Sequence, residues 1–379
     1  MDIVYFGNDW FGENKTSSHH IAERLSKTNR VLYIECPGLR SPRGSTRDIR
    51  KIFSKLKKSF SSSKNVSETL SVCTLFQIPL HRYKVVKIIN KYLIRILVKR
   101  MIKAQKFSDP LLWFLVPHLY HLPESIPNKG TIYYCIDSYS SLPGVDRDAI
   151  AFMDEEMTRN SDIVFVASQP LFEKKRLTAR ELVLSPHGVD FAHFNKAYLK
   201  TLPVPVDIEK IGKPIIGFWG LIESWIDLDL IRTLALKRPE WNFVMIGHVA
   251  VAHNPCEGLR NVHFLGAKKF ADLPAYAQVF DVAILPYKLN EQVFNCNPLK
   301  LREYLATGKP VVSTRYPEIE KYKDFVRIAD GPEQFYEHIA ASLEEATPLH
   351  SSRRVEKIRS ESWDQRVKEI ESVVKNKFF

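Results

Sequence analysis

Short apolar runs rich in Val, Ile, Phe and Tyr recur from one end of this chain to the other, and most are followed by a stretch of helical period. This alternation constrains the fold more than any other feature. Strands buried on both faces read as continuous apolar runs, and parallel strands need helical crossovers of about a dozen residues between them. In the first half the strand pattern falls on Asp2–Phe6, Val31–Glu35, Leu111–Phe114, Thr131–Cys135, Ile163–Val166 and Glu181–Leu184. Ser17–Leu25 reads as a helix with Ser17 or Ser18 as its cap. The glycine-containing polar loop from Gly7 to Lys15 then lies at the carboxyl edge of a parallel sheet, where ligands gather.

A second series begins after Thr201–Pro205, whose two prolines and lack of period mark an interdomain linker. Pro214–Gly220 reads as a strand entering a glycine turn. Leu228–Leu236 and Leu299–Ala306 read as helices, and Asn242–Ile246, Val262–Gly266, Asp281–Pro286 and Pro310–Thr314 as strands. The 379 residues exceed the ~250–300 at which one core stops growing. The sequence therefore predicts an α/β protein of two doubly wound domains, 1–200 and 214–360, with a linker at 201–213 and a helical segment at 361–379.

Composition removes other classes. With 45% hydrophobic and 26% charged residues the chain is neither disordered nor fibrous. Its five cysteines, Cys36, Cys73, Cys135, Cys256 and Cys296, are odd in number and lack metal-ligand spacing. They argue for a reducing compartment. The opening residues do not form a signal peptide, and no stretch reaches the ~18 apolar residues of a membrane span, so a cytoplasmic location is expected.

The net charge of +12 is concentrated. Residues Arg40 to Lys106 hold 18 basic and two acidic residues, which leaves the rest slightly acidic. Such an excess points to an anionic partner. From His81 to Lys106, Val85, Val86, Ile88, Ile89, Tyr92, Leu93, Ile96, Leu97, Met101 and Ile102 alternate at helical spacing with Lys84, Lys87, Lys91, Arg95, Lys99, Arg100, Lys103 and Lys106. Before them Arg47, Arg50, Lys51, Lys55, Lys57 and Lys58 surround Ile49, Ile52, Phe53 and Leu56. Two cationic amphipathic segments suggest docking on an anionic bilayer, where each Lys or Arg adds about 1 kcal/mol. The plain alternative is a helix whose apolar face packs on the sheet. A nucleic-acid partner is not expected, because no helix-turn-helix, zinc-finger or aromatic RNA-binding pattern is present.

The most informative segment runs from Asn295 to Pro310. Asn297 suits the N-cap of a helix, Pro298 its first position, and Gly308 with Pro310 its end. Lys300 breaks the pattern, since a cation in the first turn opposes the positive end of the helix dipole unless an anion sits there. Glu303, three residues on, shares its face. A diphosphate beside a ribose would meet such a pair, and so would water around an ordinary capped helix.

Further segments fall in order around this helix: Asp9-Trp10 with Ser18–Ala22, Tyr134–Asp137, Ser161–Ser168, Pro186–Asp190, Gly217–Gly220, Trp225–Asp227, Phe264–Gly266, Asp281–Tyr287 and Ser362–Val367. Together they resemble the GT-B glycosyltransferases. The likeness is to the family 4-like bacterial enzymes of exopolysaccharide and teichuronic acid synthesis, and to the related xanthan-type glucuronosyltransferase. The resemblance implies two Rossmann-like domains facing a cleft, with the C-terminal helix returning to the N-terminal domain. It implies a hexosyltransferase that uses a nucleotide sugar, UDP-linked, and a glycan or lipid-linked glycan acceptor in cell-surface polysaccharide synthesis. Peripheral association with the inner face of the cell membrane follows, and neither a metal nor another cofactor is expected.

By the same resemblance the donor would meet Gly220, Tyr287, Asn297, Pro298, Leu299, Lys300 and Glu303. Glu303 matches the second Glu of an E-x7-E motif, which binds the donor ribose; the position of the first, 295, is Asn. The turn Gly220–Ser224 lacks the basic residues that often neutralise the diphosphate, which leaves Lys300. Asp137, at the carboxyl end of a strand, resembles the base that takes the acceptor hydroxyl proton, although it equally suits a turn cap through Ser138. Asp9, Trp10, His19, His20 and His118 are placed to meet the acceptor or the sugar, against the plain reading of a capped helix and a loop histidine. A nucleotide-sugar epimerase shares the two-domain fold and is the alternative function.

Overall fold

The computed structural model describes residues 1–12, 15–36, 38, 63–78, 84–344 and 347–379. The basic run from Arg47 to Lys58 lies outside them. The chain divides into two units, Met1–Pro186 with Val367–Phe379, and His187–Arg366.

In the first unit β1 (Asp2–Gly7), β2 (Arg30–Glu35), β3 (Lys64–Asn65), β4 (Leu70–Thr74), β5 (Leu111–Phe114), β6 (Gly130–Cys135), β7 (Ile163–Val166) and β8 (Leu182–Leu184) form one sheet in the order β3-β4-β2-β1-β5-β6-β7-β8. Among the described residues only the β3–β4 pair of this sheet is antiparallel. Alternate residues supply the two faces. Tyr5, Tyr33, Trp113 and Phe165 stack across one face at centroid distances of 5.3, 5.8 and 6.0 Å. Val4, Phe6, Leu32, Ile34 and Phe114 belong to the core on the other. Each fully buried side chain of this kind contributes roughly 1.5–3 kcal/mol. The strand order reverses between β1 and β5, so the loop after Gly7 sits at a topological switch point.

Helix α1 (Ser17–Leu25) is capped by Thr16, not by Ser17 or Ser18, which are buried within its first turn. Helix α2 (Lys84–Ala104) is apolar on two sides. Ile94, Leu97, Val98 and Ile102 pack into the core. Val85, Ile88, Ile89, Tyr92 and Ile96 form a second stripe that is 46–67% exposed, with the exposed Lys91, Arg95, Lys99, Arg100 and Lys103 beside and beyond it. The unit also holds α3 (Arg147–Asn160) and α4 (Gln169–Lys175). Among the described residues no helix is long and apolar enough to cross a membrane.

The second unit carries β9 (Ile215–Trp219), β10 (Asn242–Ile246), β11 (Val262–Gly266), β12 (Val282–Leu285), β13 (Val311–Thr314) and β14 (Arg327–Ala329), parallel throughout in the order β11-β10-β9-β12-β13-β14. Its switch point lies between β9 and β12. The helices used below are α5 (Phe191–Leu199), α6 (Leu228–Lys237), α7 (Leu299–Ala306), α8 (Pro348–Arg359) and α9 (Trp363–Phe378).

Two boundary expectations are corrected. The division falls after Pro186, not in 201–213, because α5 belongs to the second unit: Phe194 is fully buried and stacks on Trp219 at 5.8 Å. Pro203 is exposed in irregular chain, and Pro205 is the N-cap of a short helix, Val206–Glu209. The segment 361–379 is likewise shared, with Glu361 to Arg366 in the second unit and Val367 onward in the first. There Glu371 accepts from Asn29 at 2.6 Å, and Lys377 pairs with Glu181 at 2.9 Å.

Candidate functional site

At the switch point of the second unit β9 is followed by Gly220, with φ +141°. A Cβ on Gly220 would lie 1.9 Å from Lys300 Cε and 2.6 Å from its Nζ, so the bare backbone is what lets the lysine lie there. Gly247, at the end of β10 with φ +147°, is needed for the same reason, since its Cβ would meet the Gly220 carbonyl oxygen at 1.8 Å. Sequence reasoning found the first glycine and missed the second, whose signal is the same strand-then-glycine pattern.

Lys300 and Glu303 come from the first turns of α7, as the spacing predicts. Burial lowers the Lys300 pKa, against the opposing effect of Glu303 and Cys296. Burial likewise raises Glu303, with Asp190 adding to the rise while Trp219 and Lys300 oppose it. The indole Nε1–H of Trp219 donates to Glu303 Oε2 at 2.8 Å and fixes the carboxylate. Trp219 and Asp190 are therefore site residues that side-chain spacing could not assign. An ammonium held in low-dielectric surroundings without a close carboxylate gains from an arriving anion, because the anion returns the solvation that burial removed.

The start of α7 differs from expectation. Pro298 is the N-cap, and no side chain caps the first turn, which opens with Leu299 and Lys300. Asn297, expected to cap it, is buried as a junction: its Oδ1 accepts from Arg302 at 2.7 Å and from the His187 N–H at 3.3 Å, and its Nδ2 donates to Glu318 at 2.7 Å. Arg302 also bonds Glu361 at 2.9 Å. Asn297 thus braces the helix from beneath, because Arg302 outcompetes the backbone amides for its oxygen. Asn295 is buried and donates to the Glu291 carbonyl at 2.6 Å. Tyr287 is buried after β12, where Glu303 contributes to its raised pKa after burial and Cys296. With Phe294, Tyr316 and Arg315 it lines a cavity of about 530 Å³.

In the first unit the loop after β1 is held by three side chains. Glu35, 5% exposed at the end of β2, accepts from the Trp10 amide at 2.7 Å, and Tyr33 donates to the Asn8 carbonyl at 2.8 Å. His19 accepts at Nδ1 from the Thr16 amide at 3.1 Å and donates from Nε2 to the Asp9 carbonyl at 3.1 Å. Both its nitrogens are committed, and burial lowers its pKa. His19 therefore positions the loop, and does not present a nitrogen to ligand as expected. His20 is buried, with Arg24 3.3 Å from its Nδ1, and is likewise withdrawn. Asp9 remains exposed at the switch point, half-buried Trp10 packs on Tyr33 at 4.7 Å, and half-buried His118 lies in the short turn Pro117–Leu119 after β5.

Asp137 follows β6 at the same carboxyl edge. Its Oδ1 accepts from the Ser138 amide at 2.8 Å, as the turn-cap reading predicts, and this contact also fixes the direction of the carboxylate. Among the described residues no group of three His, Cys, Asp or Glu side chains could hold a metal ion.

Residues 213–345, which contain this glycine turn and α7, match the family model described as glycosyl transferases group 1. Over 377 residues the chain is 26% identical to TuaH of Bacillus subtilis (strain 168), whose name assigns it as a glycosyltransferase of teichuronic acid biosynthesis; the match covers 93% of this chain and 87% of that protein. This chain is a GT-B glycosyltransferase. Solved structures show the same fold. Sucrose-phosphate synthase from Thermosynechococcus elongatus matches with a TM-score of 0.72 at 13% identity, over 99% of this chain and 98% of that one. Anabaena HepE, in complex with UDP and glucose, matches with a TM-score of 0.68 at 14% identity, over 98% and 99%. The matched family and TuaH both describe glycosyl transfer, and neither supports the epimerase alternative. The glycosyltransferase thus carries its most clearly built polar site inside the segment that the family model covers.

Proposed function

We propose that this glycosyltransferase moves a hexosyl group from a UDP-sugar to a lipid-linked glycan at an anionic membrane surface, in the synthesis of a cell-surface polysaccharide. The observation that carries the donor assignment is Lys300, a half-buried side chain laid across Gly220 in an uncapped first turn. There it meets the diphosphate together with the free amides of the turn, and Glu303 accepts from the ribose hydroxyls. As the bond between the sugar and the diphosphate breaks, negative charge grows on the leaving UDP, and a cation already in place stabilises it without reorganisation. Asp137 takes the proton of the attacking hydroxyl, which forms the new bond to the anomeric carbon. The name of TuaH and the UDP in HepE support the polymer and the nucleotide.

The acceptor side rests on α2. Its core-facing residues account for only one of its two apolar faces, and the other is rimmed by cations. Such a helix suits the boundary of an anionic bilayer, where a lipid-linked acceptor is found. We infer on this support that the enzyme works at the cytoplasmic face of the cell membrane.

Isothermal titration with UDP tests the donor half. Lys300→Ala and Glu303→Ala are each expected to weaken binding by about tenfold or more, since a hydrogen bond to a charged group contributes ~1.5–3 kcal/mol. Unchanged affinity in both variants overturns the assignment.

A further inference from the structure

The second unit holds another cavity, larger than the one beside Tyr287, at about 850 Å³. It lies at the opposite edge of the sheet from Lys300. Lys213 and Pro214 lead into β9, Asp281 into β12, and Lys309 and Pro310 into β13, so the cavity is bounded by the amino ends of the strands. The end of α5, with Tyr198 and Lys200, and Ser351 of α8 complete the wall.

The charges in this wall do not balance. Three ammonium groups face one carboxylate, and that carboxylate is already spent: Lys213 bonds both oxygens of Asp281 at 2.9 Å, and the Ile215 amide adds a third contact at 2.7 Å. Lys213 also donates to the Val279 carbonyl, so its three hydrogens are all placed. Lys309 is half-buried, and its ammonium donates to the Gln278 carbonyl at 2.8 Å. Lys200 makes no ion pair among the described residues. Burial and the charges of Lys213 and Lys200, opposed by Asp281, hold the Lys309 pKa down to about 8. Capping the carbonyls of residues 278 and 279 explains Lys213 and part of Lys309. It leaves half-buried Lys309, with exposed Lys200 at the rim, outside any ion pair among the described residues, so that an entering anion returns to Lys309 part of the solvation that burial removed.

We propose that this cavity is a second ligand site of the enzyme, for a small molecule bearing a phosphate group, gripped by Lys309 and Lys200. The volume exceeds what a bare phosphate fills and lies within the ~300–1,000 Å³ usual for small-molecule pockets. The half-buried Tyr198 and the Ser351 hydroxyl offer an aromatic face and a polar contact to the body of a phosphomonoester.

The test separates this site from the donor site by working in the Lys300→Ala variant, titrated with glucose 6-phosphate and with inorganic phosphate and followed by ³¹P line broadening. Saturable binding of at least one probe is expected below about 10 mM. Tighter binding of the sugar phosphate identifies a phosphomonoester site, and equal binding identifies free phosphate as the ligand. Adding Lys309→Met is expected to weaken binding about tenfold or more. Adding Lys200→Asn, which suits the left-handed backbone (φ +53°) of this exposed position, is expected to weaken it severalfold. In the parent background Lys309→Met should bind UDP as the parent does. Absence of saturable binding with either probe overturns the proposal, and so does undiminished binding in both lysine variants.

Discussion

Replacing Gly220 by alanine tests the donor site through its backbone. The added methyl would stand 1.9 Å from Lys300 Cε and 2.6 Å from Nζ, where carbon contacts settle at ~3.5–4 Å. Backbone around Gly220 is tied down, with its amide donating to the Ile246 carbonyl at 2.8 Å, so the flexible end of Lys300 is what must move. Displacing the ammonium by more than about an ångström removes its charge-assisted contact with the diphosphate, ~1.5–3 kcal/mol, or roughly 10- to 100-fold in the affinity for UDP. The backbone adds a separate penalty to stability of about 1–3 kcal/mol, because φ +141° lies where only glycine sits without strain. Titration with UDP at fixed salt reads the first effect and thermal unfolding the second. The double variant Gly220→Ala, Lys300→Ala discriminates further: with the lysine already absent, the methyl should cost little additional affinity, giving a coupling energy close to the single-variant loss. Parental UDP affinity in Gly220→Ala, or fully additive losses in the double variant, would refute the argument that the glycine exists to seat Lys300.

Other expectations follow from the same geometry. Asp137→Asn should abolish most turnover while leaving UDP affinity unchanged; near-parental turnover would reduce Asp137 to a turn cap. Replacing Ile88, Tyr92 and Ile96 together by serine removes about 1 kcal/mol of apolar burial at each and should lower partition onto anionic vesicles by about two decades, with little change in melting temperature. Parental sedimentation with such vesicles would show that the exposed stripe is not the docking face. Burial, with Arg302 and Arg366 nearby, lowers the His187 pKa to about 3. As pH falls the unfolded chain takes up this proton first, so the contribution is whole above about pH 6.5 and is lost at up to ~1.4 kcal/mol per unit below it. His187→Gln should therefore lose less melting temperature than the parent between pH 7.5 and 5, and equal losses would place the acid sensitivity elsewhere.

Most strands of the two sheets and the span of α7 were legible in the sequence, because continuous apolar runs and a helix ended by Gly308 are local facts, whereas the edge or mixed-polarity strands β3, β4 and β14 were missed. Lys300 and Glu303 were legible for the same reason, since a spacing of three on a helix forces two side chains onto one face. Pairing between distant segments was not. Asn297 reads as a cap until Arg302, Glu318 and His187 compete for it. His19 reads as a ligand until the loop after β1 occupies both its nitrogens. The domain boundary was misplaced because prolines record where the chain turns, whereas the burial of Phe194 decides which core α5 joins. Periodicity likewise counted the apolar residues of α2 without separating those that pack from those left in water. Sequence fixes which backbone conformations and side-chain faces are available. Which polar atom wins a partner, and which apolar face is covered, depends on desolvation and on neighbours hundreds of residues away, and only the tertiary structure brings those together.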